Sequence, residues 1–145
     1  MIDCTMPHFA LVRLGALKPF GNWFILRQAD GVMLRARKLL PETVTVYGYA
    51  GLNEEGKMEF EPAGAVDERL LRMAEEFVQR CNAESDPYLY ALACAAQPLD
   101  PDEAPIRWLE VNPLDGSFVV HSLLVEVEGG ERMVVAAHQV EWKEE

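Results

Sequence analysis

The chain has 145 residues, of which 50% are hydrophobic, and carries a formal net charge of -11. This length allows one domain with a buried core, and the hydrophobic content excludes an intrinsically disordered protein. No apolar run reaches the roughly 18 residues that span a bilayer, so we expect a soluble protein without a membrane-spanning segment.

The charge is divided unevenly along the chain. Residues 1–40 carry six Lys/Arg against two Asp, a net +4, whereas residues 41–145 carry seven basic and 22 acidic residues, a net -15. An acidic body repels nucleic acid and attracts basic partners, so the charge argues against direct nucleic-acid binding. The alternative is that a strong net charge only maintains solubility.

The cysteines indicate the compartment. Cys4, Cys81 and Cys94 are odd in number and unrelated in spacing, which argues against a disulfide framework and favours a reducing environment. The first residues also lack a signal-peptide pattern. We therefore expect a cytoplasmic protein, in a bacterium or in an infected host cell.

The first part of the chain predicts β-strands. Apolar runs cover 8–14, 22–29 and 32–39, and the stretch 43–50 is rich in β-branched and aromatic residues, a composition typical of strands. A turn then leads to a further strand at 57–61. A helix over the third run is the alternative, because its basic residues crowd one side.

Asp30 and Gly31 lie between two of these runs, and an Asp-Gly pair flanked by apolar residues predicts a β-hairpin. A two-residue turn gives these facing pairs: Trp23 with Lys38, Phe24 with Arg37, and Leu26 with Arg35. Arg35, Arg37 and Lys38 then form a basic ribbon that could bind an acidic partner or nucleic acid, or cover apolar surface with their aliphatic stems. Because the rest of the chain is acidic, we favour neutralisation of these cations within the molecule.

Residues 67–82 predict the clearest helix. Apolar residues recur at helical spacing and form one stripe: Val66, Leu70, Ala74, Phe77, Val78 and Cys81. Asp67 is a suitable N-cap. We expect Leu70 and Phe77 to point into a sheet, because one amphipathic helix with a single stripe needs a sheet to cover it.

The stretch 86–96 fits either a second short helix or a strand buried on both faces. Pro87 and four alanines favour the helix. A second β-rich block follows at 106–112 and 117–142. The sequence therefore predicts a single α+β domain over 1–145, with antiparallel sheet and the 67–82 helix packed on one face.

The last β-rich block contains two histidines. With a two-residue or four-residue loop centred on Gly129 and Gly130, His121 lies directly opposite His138 at the end of an apolar face. A three-residue loop would shift the register and remove the pairing. The pair could share a metal, respond to pH, or consist of ordinary half-buried histidines. We expect the last.

Metal and cofactor signals are weak throughout the sequence. Zinc needs three or four ligands, and the remaining candidates are Cys4 and His8, which have a C-x3-H spacing without any CxxC or HExxH motif. Glycine-rich phosphate loops and nucleophile motifs are also missing from the sequence. We predict no metal, no cofactor and no identifiable catalytic residue.

The leading functional hypothesis is a protein-binding or inhibitor protein that occupies a basic surface of another protein, in the manner of immunity proteins or phage anti-defence proteins. Asp100, Asp102 and Glu103, in a proline-rich loop, are the candidate partner-binding residues. The alternative is a small hydrolase or ligand-binding enzyme with a pocket around His121 and His138. That pocket would also use Glu110 or Tyr88.

Overall fold

The computed structural model describes residues 1–101 and 106–144. These residues form an α+β fold with two α-helices and ten strands, arranged in two five-stranded antiparallel sheets, so the predicted fold class is confirmed. In chain order the elements are β1 (His8–Leu14), β2 (Leu17–Arg27), β3 (Met33–Pro41), β4 (Val44–Leu52), β5 (Met58–Pro62), α1 (Glu68–Asn82), α2 (Pro87–Ala95), β6 (Ile106–Val111), β7 (Phe118–Val119), β8 (Ser122–Val127), β9 (Arg132–Ala136), a 3-10 turn (Ala137–Gln139) and β10 (Glu141–Glu144).

The described residues group into two compact units. The first unit comprises residues 1–13, 45–95 and 106–119, and the second comprises residues 14–44, 96–101 and 120–144. Within these residues, neither α-helix is long and apolar enough to cross a membrane.

The first unit contains the sheet β5-β4-β1-β6-β7 and both α-helices. Phe77 of α1 is 2% exposed and stacks on Trp108 with a centroid distance of 4.3 Å. Asp67 caps α1 by accepting the Leu70 N–H at 2.9 Å, which satisfies one of the free amides of the first turn. The predicted 67–82 helix and its buried stripe are confirmed.

Residues 87–95 form the second helix, so the helical interpretation of this stretch is confirmed and the strand alternative is wrong. Asp86 accepts the Leu89 N–H at 3.1 Å and satisfies an amide of the first turn of α2. Ala91 and Ala95 are buried against the core. Small side chains on this face let the helix backbone approach the core closely, and their helix propensity removes the strand alternative.

The second unit contains the sheet β10-β2-β3-β8-β9. Its core is a cluster of buried apolar side chains from one face of the sheet: Phe24, Leu26, Ala36, Val125, Val127 and Val135. Residues 33–41 are strand β3, so the helix considered for this run is wrong. β10 pairs with β2, because the 3-10 turn at Ala137–Gln139 ends the hairpin that the sequence predicted to continue to 142.

Three hairpin loops share one geometry. Backbone hydrogen bonds close three-residue loops at Gln28 with Val32, Asn53 with Lys57, and Val127 with Glu131. Each loop ends in a glycine of positive φ: Gly31 at 88°, Gly56 at 79° and Gly130 at 95°. Three-residue hairpin loops commonly place such a residue before the second strand.

Candidate functional site

The predicted pairing of His121 with His138 is wrong. The three-residue loop between β8 and β9 pairs Ser122 with Ala136, and the His121 carbonyl accepts the Ala137 N–H at 3.1 Å. His138 is exposed in the 3-10 turn. A register shift of one residue moves every side chain of a strand to the other face, so β9 turns Val135 rather than Val134 into the core.

The corrected register also affects the metal-binding and hydrolase hypotheses for the two histidines. In residues 1–101 and 106–144, no group of three or more His, Cys, Asp or Glu side chains is placed to hold a metal ion. The hydrolase alternative relied on the cross-strand histidine pair, which the register removes. His121 and His138 belong to the second unit, whereas Tyr88 and Glu110 belong to the first.

Tyr88 and Glu110 do contact each other. The Tyr88 hydroxyl donates a hydrogen bond to the Glu110 carboxylate, and the tyrosine ring packs on Phe9 with a centroid distance of 5.4 Å. Burial, together with this hydrogen bond, raises the pKa of the Tyr88 hydroxyl. Tyr88 therefore remains a protonated donor at neutral pH and fixes α2 to β6.

The basic ribbon has a different register from the one predicted, because the loop contains Ala29 as well as Asp30 and Gly31. Phe24 pairs with Ala36, Ile25 with Arg35 and Leu26 with Leu34, so the expected aromatic–cation pairs across the hairpin are wrong. The arginines lie instead on the face opposite the buried Phe24 and Leu26.

The cations of this ribbon have acidic partners within the second unit. Arg35 reaches Glu128 at 3.2 Å and Arg37 reaches Glu126 at 3.9 Å. Two further ion pairs extend this pattern: Lys18 with Glu42 at 2.5 Å and Arg27 with Glu141 at 3.9 Å. The pairs are partly exposed, so each adds little stability, but together they offset most of the positive charge of the ribbon.

Both ribbon arginines also contact Trp23. The guanidinium carbons of Arg35 and Arg37 lie 4.8 and 4.5 Å from the centroid of the Trp23 ring, within the range of cation–π attraction. Lys38 makes the same type of contact with Trp142, its ammonium lying 5.2 Å from the ring centroid. Lys38 forms no ion pair with any of the described carboxylates.

Sequence reasoning missed an acidic surface on the first unit. Four carboxylates line a cavity of about 600 Å³ at the β4–β5 turn: Asp3, Glu54, Glu55 and Glu59. We call this region the acidic surface. Asn53 organises the turn, since its side-chain oxygen accepts the Glu55 N–H at 2.9 Å and its amide donates to Glu59 at 2.9 Å. The sequence does have several acidic residues around Asn53–Gly56, but such a stretch is equally typical of a solvent-exposed turn.

Hydrogen bonds favour the ionised form of two carboxylates of the acidic surface. Hydrogen bonds from the Thr5 hydroxyl and amide lower the pKa of Asp3. Hydrogen bonds from the Met1 amine and the Asn53 amide lower the pKa of Glu59. Glu59 forms an ion pair with the Met1 ammonium, but among the residues that the structure describes no Lys or Arg side chain pairs with any of the four carboxylates.

The loop predicted to bind a partner is described only in part. Asp100 is exposed, whereas Asp102 and Glu103 lie outside the described residues. The role of these three acids stays a prediction from the sequence.

The sequence also did not predict a groove in the second unit. Phe20, Trp23, Phe24 and Trp142 line it together with Lys38 and Glu144. These residues come from β2, β3 and β10, so only the tertiary pairing of the strands brings them together.

Comparison with known proteins gives no relative on which to base a function: no protein-family model, no curated protein and no solved structure matches the chain.

Proposed function

We propose that the protein binds a basic surface of another protein through its acidic surface, and that it acts as an inhibitor of the immunity or anti-defence type. One observation carries the proposal. Arg35 and Arg37 of the ribbon, like Lys18 and Arg27, form ion pairs within the second unit. Among the described residues, by contrast, Asp3, Glu54 and Glu55 have no cation paired with them, and Glu59 pairs only with the Met1 ammonium.

The arrangement of the carboxylates supports the proposal. They converge on one concave surface, and the exposed Glu54 and Glu55 lie at its rim on a turn that Asn53 holds by hydrogen bonds. A fixed set of like charges produces a directed field that attracts a basic partner and speeds its association.

The proposal predicts a site-specific, salt-dependent interaction. The double variant E54K/E55K should weaken binding of a fluorescently labelled oligolysine peptide much more than E75K/E76K, which makes the same change in net charge on the exposed face of α1. Titrations at increasing salt should show a steep loss of affinity for the wild-type protein, because exposed charges are screened over roughly 8 Å at physiological ionic strength.

The difference in binding between E54K/E55K and E75K/E76K tests whether the interaction is confined to one site. Equal weakening by both would mean that the net charge acts everywhere on the surface, and would contradict a defined site. Affinity that is indifferent to salt would contradict the electrostatic mechanism itself.

A natural partner can be sought by crosslinking from the same two regions, the β4–β5 turn and helix α1. A photoreactive crosslinker at position 55 should capture a basic protein, and E54K/E55K should slow the association of that purified protein with the chain. A crosslinker at position 76 is the control. Capture of one protein equally well from both positions would argue against the acidic surface.

A further inference from the structure

A β-bulge in β2 shapes the groove in the second unit. Phe20 pairs with Lys38 and Phe24 pairs with Ala36, so residues 21–23 of β2 face the single residue Arg37 of β3. Gly21 has a φ of 81°, a conformation that glycine adopts without strain. Bulges redirect side chains away from the regular alternation of a strand, and here the bulge places Phe20 and Trp23 on the walls of one groove.

The groove has the size and the walls of a small-molecule site. It encloses about 380 Å³, within the roughly 300–1,000 Å³ typical of ligand pockets. Phe20 is 62% exposed, a large apolar surface left open to solvent at the mouth of the groove. The Trp142 ring packs on Phe24 with a centroid distance of 4.6 Å, which fixes its orientation.

The Trp23 ring is also held by neighbouring side chains. Arg35 and Arg37 contact its ring, and Glu128 and Glu126 hold the two guanidinium groups in turn. These contacts favour one orientation of the indole in the absence of a ligand, so a ligand would lose less free energy to ordering of the protein.

Lys38 gives the groove its charge preference. Four other basic side chains of β2 and β3 have a carboxylate within 4.0 Å, but Lys38 has none among the described residues. Its ammonium lies over Trp142, at the wall of the groove. Glu144 also lines the groove without forming an ion pair with Lys38, so it disfavours a ligand that carries negative charge along its whole length.

We propose that this groove binds a small planar aromatic molecule that carries one anionic group. The ring would lie against Phe20 and Trp142, and the anion would contact the Lys38 ammonium. Aromatic stacking accounts for the exposed Phe20, and charge complementarity accounts for Lys38, which has no carboxylate partner among the described residues. The proposal is independent of the acidic surface of the first unit.

Two naphthalene probes test it. Naphthoate and naphthylmethylammonium share one ring system but carry opposite charges. The chain has three tryptophans, and the indole N–H signals of ¹⁵N-labelled protein report on them separately. Naphthoate should shift the Trp23 and Trp142 signals in a saturable manner and leave Trp108, which packs against the core of the first unit, unchanged. Naphthylmethylammonium should shift none of them.

Matched variants separate the ring from the charge. Lys38→Gln should weaken naphthoate binding about tenfold, the effect of losing one charge-assisted hydrogen bond. Phe20→Ala should weaken it while preserving the preference for the anion. Lys143→Gln removes a lysine from β10 at a position paired with Ile25, and should leave binding unchanged.

Three results would overturn the proposal. Both probes could shift the tryptophans equally, Lys143→Gln could weaken naphthoate as much as Lys38→Gln, or naphthoate could leave Trp23 and Trp142 unmoved. A single-stranded oligothymidylate is the last arm. Shifts of Trp23 and Trp142 at lower concentrations of oligothymidylate than of naphthoate would assign the groove to nucleic acid instead.

Discussion

Phe77 lies between the rings of Phe9 and Trp108 in the core of the first unit. Phe77→Ala removes a buried ring and leaves a cavity that its neighbours cannot fill, so we expect it to lower the free energy of unfolding by about 3–5 kcal/mol. Urea denaturation followed by circular dichroism measures this loss. Leu71→Ala on the same helix, at a side chain that is 37% exposed, is the control and should cost much less. Equal losses would contradict the packing of α1.

Cys81 gives the stability of the protein an alkaline limit. Burial raises the pKa of its thiol from 9.0 to about 12, because the thiolate is poorly solvated in the core. The unfolded chain then releases this proton first as pH rises. The contribution of Cys81 is complete below pH 9.0 and is lost progressively toward about pH 12. The free energy of unfolding should decline over this range, and less steeply in Cys81→Ala. Cys4→Ala, at an exposed position, should keep the wild-type slope.

At the scale of elements, the hairpin loops depend on glycine for a conformational reason. A Cβ at Gly56 would meet no atom within 4 Å, whereas a Cβ at Gly48 would lie 2.6 Å from the Glu61 carbonyl oxygen. Gly56→Ala should therefore cost about 1–2 kcal/mol of left-handed strain, and Gly56→Asn less, because asparagine tolerates this conformation. At Gly48 the clash is steric, so asparagine should be worse than alanine. Thermal unfolding of the four variants tests the distinction, and a rescue by Asn at Gly48 would contradict it.

The same loops explain which elements could be predicted. Helix α1 follows from local information, because the spacing of Leu70 and Phe77 and the cap at Asp67 all lie within one segment. A hairpin register depends on whether a loop has two or three residues, and Gly129-Gly130 fits either. The backbone hydrogen bonds show a three-residue loop. This one additional residue shifts the register, so His138 does not lie opposite His121.

The candidate sites also combine features that the sequence predicts with features that depend on tertiary contacts. The excess of acids was evident from composition, but the convergence of Asp3 with Glu59 requires the N-terminal segment to lie beside the β4–β5 turn, a tertiary contact. The aromatic groove depends on a bulge and on the pairing of β10 with β2, which join Phe20 and Trp142 across more than a hundred residues of chain. Local patterns carry no information about such pairings.

At the scale of the whole molecule, the two units are interleaved along the chain. Residues 14–44 of the second unit connect the first two segments of the first unit, and residues 45–95 of the first connect segments of the second. If the second unit unfolded alone, 14–44 would become a flexible loop of 31 residues closed by β1 and β4. Closing such a loop costs on the order of 3 kcal/mol of chain entropy, so the folding of each unit stabilises the other through connectivity.

We therefore expect one cooperative unfolding transition, as the sequence-based prediction of a single domain requires. Trp108 reports on the first unit, and Trp23 and Trp142 report on the second. Their indole N–H signals, followed through a urea titration, should lose intensity with the same midpoint. Phe77→Ala, although it removes a side chain of the first unit, should lower that midpoint equally for all three tryptophans. A Trp108 transition that separates from the other two in this variant would show that the units unfold independently, and that the chain forms two domains despite its interleaved segments.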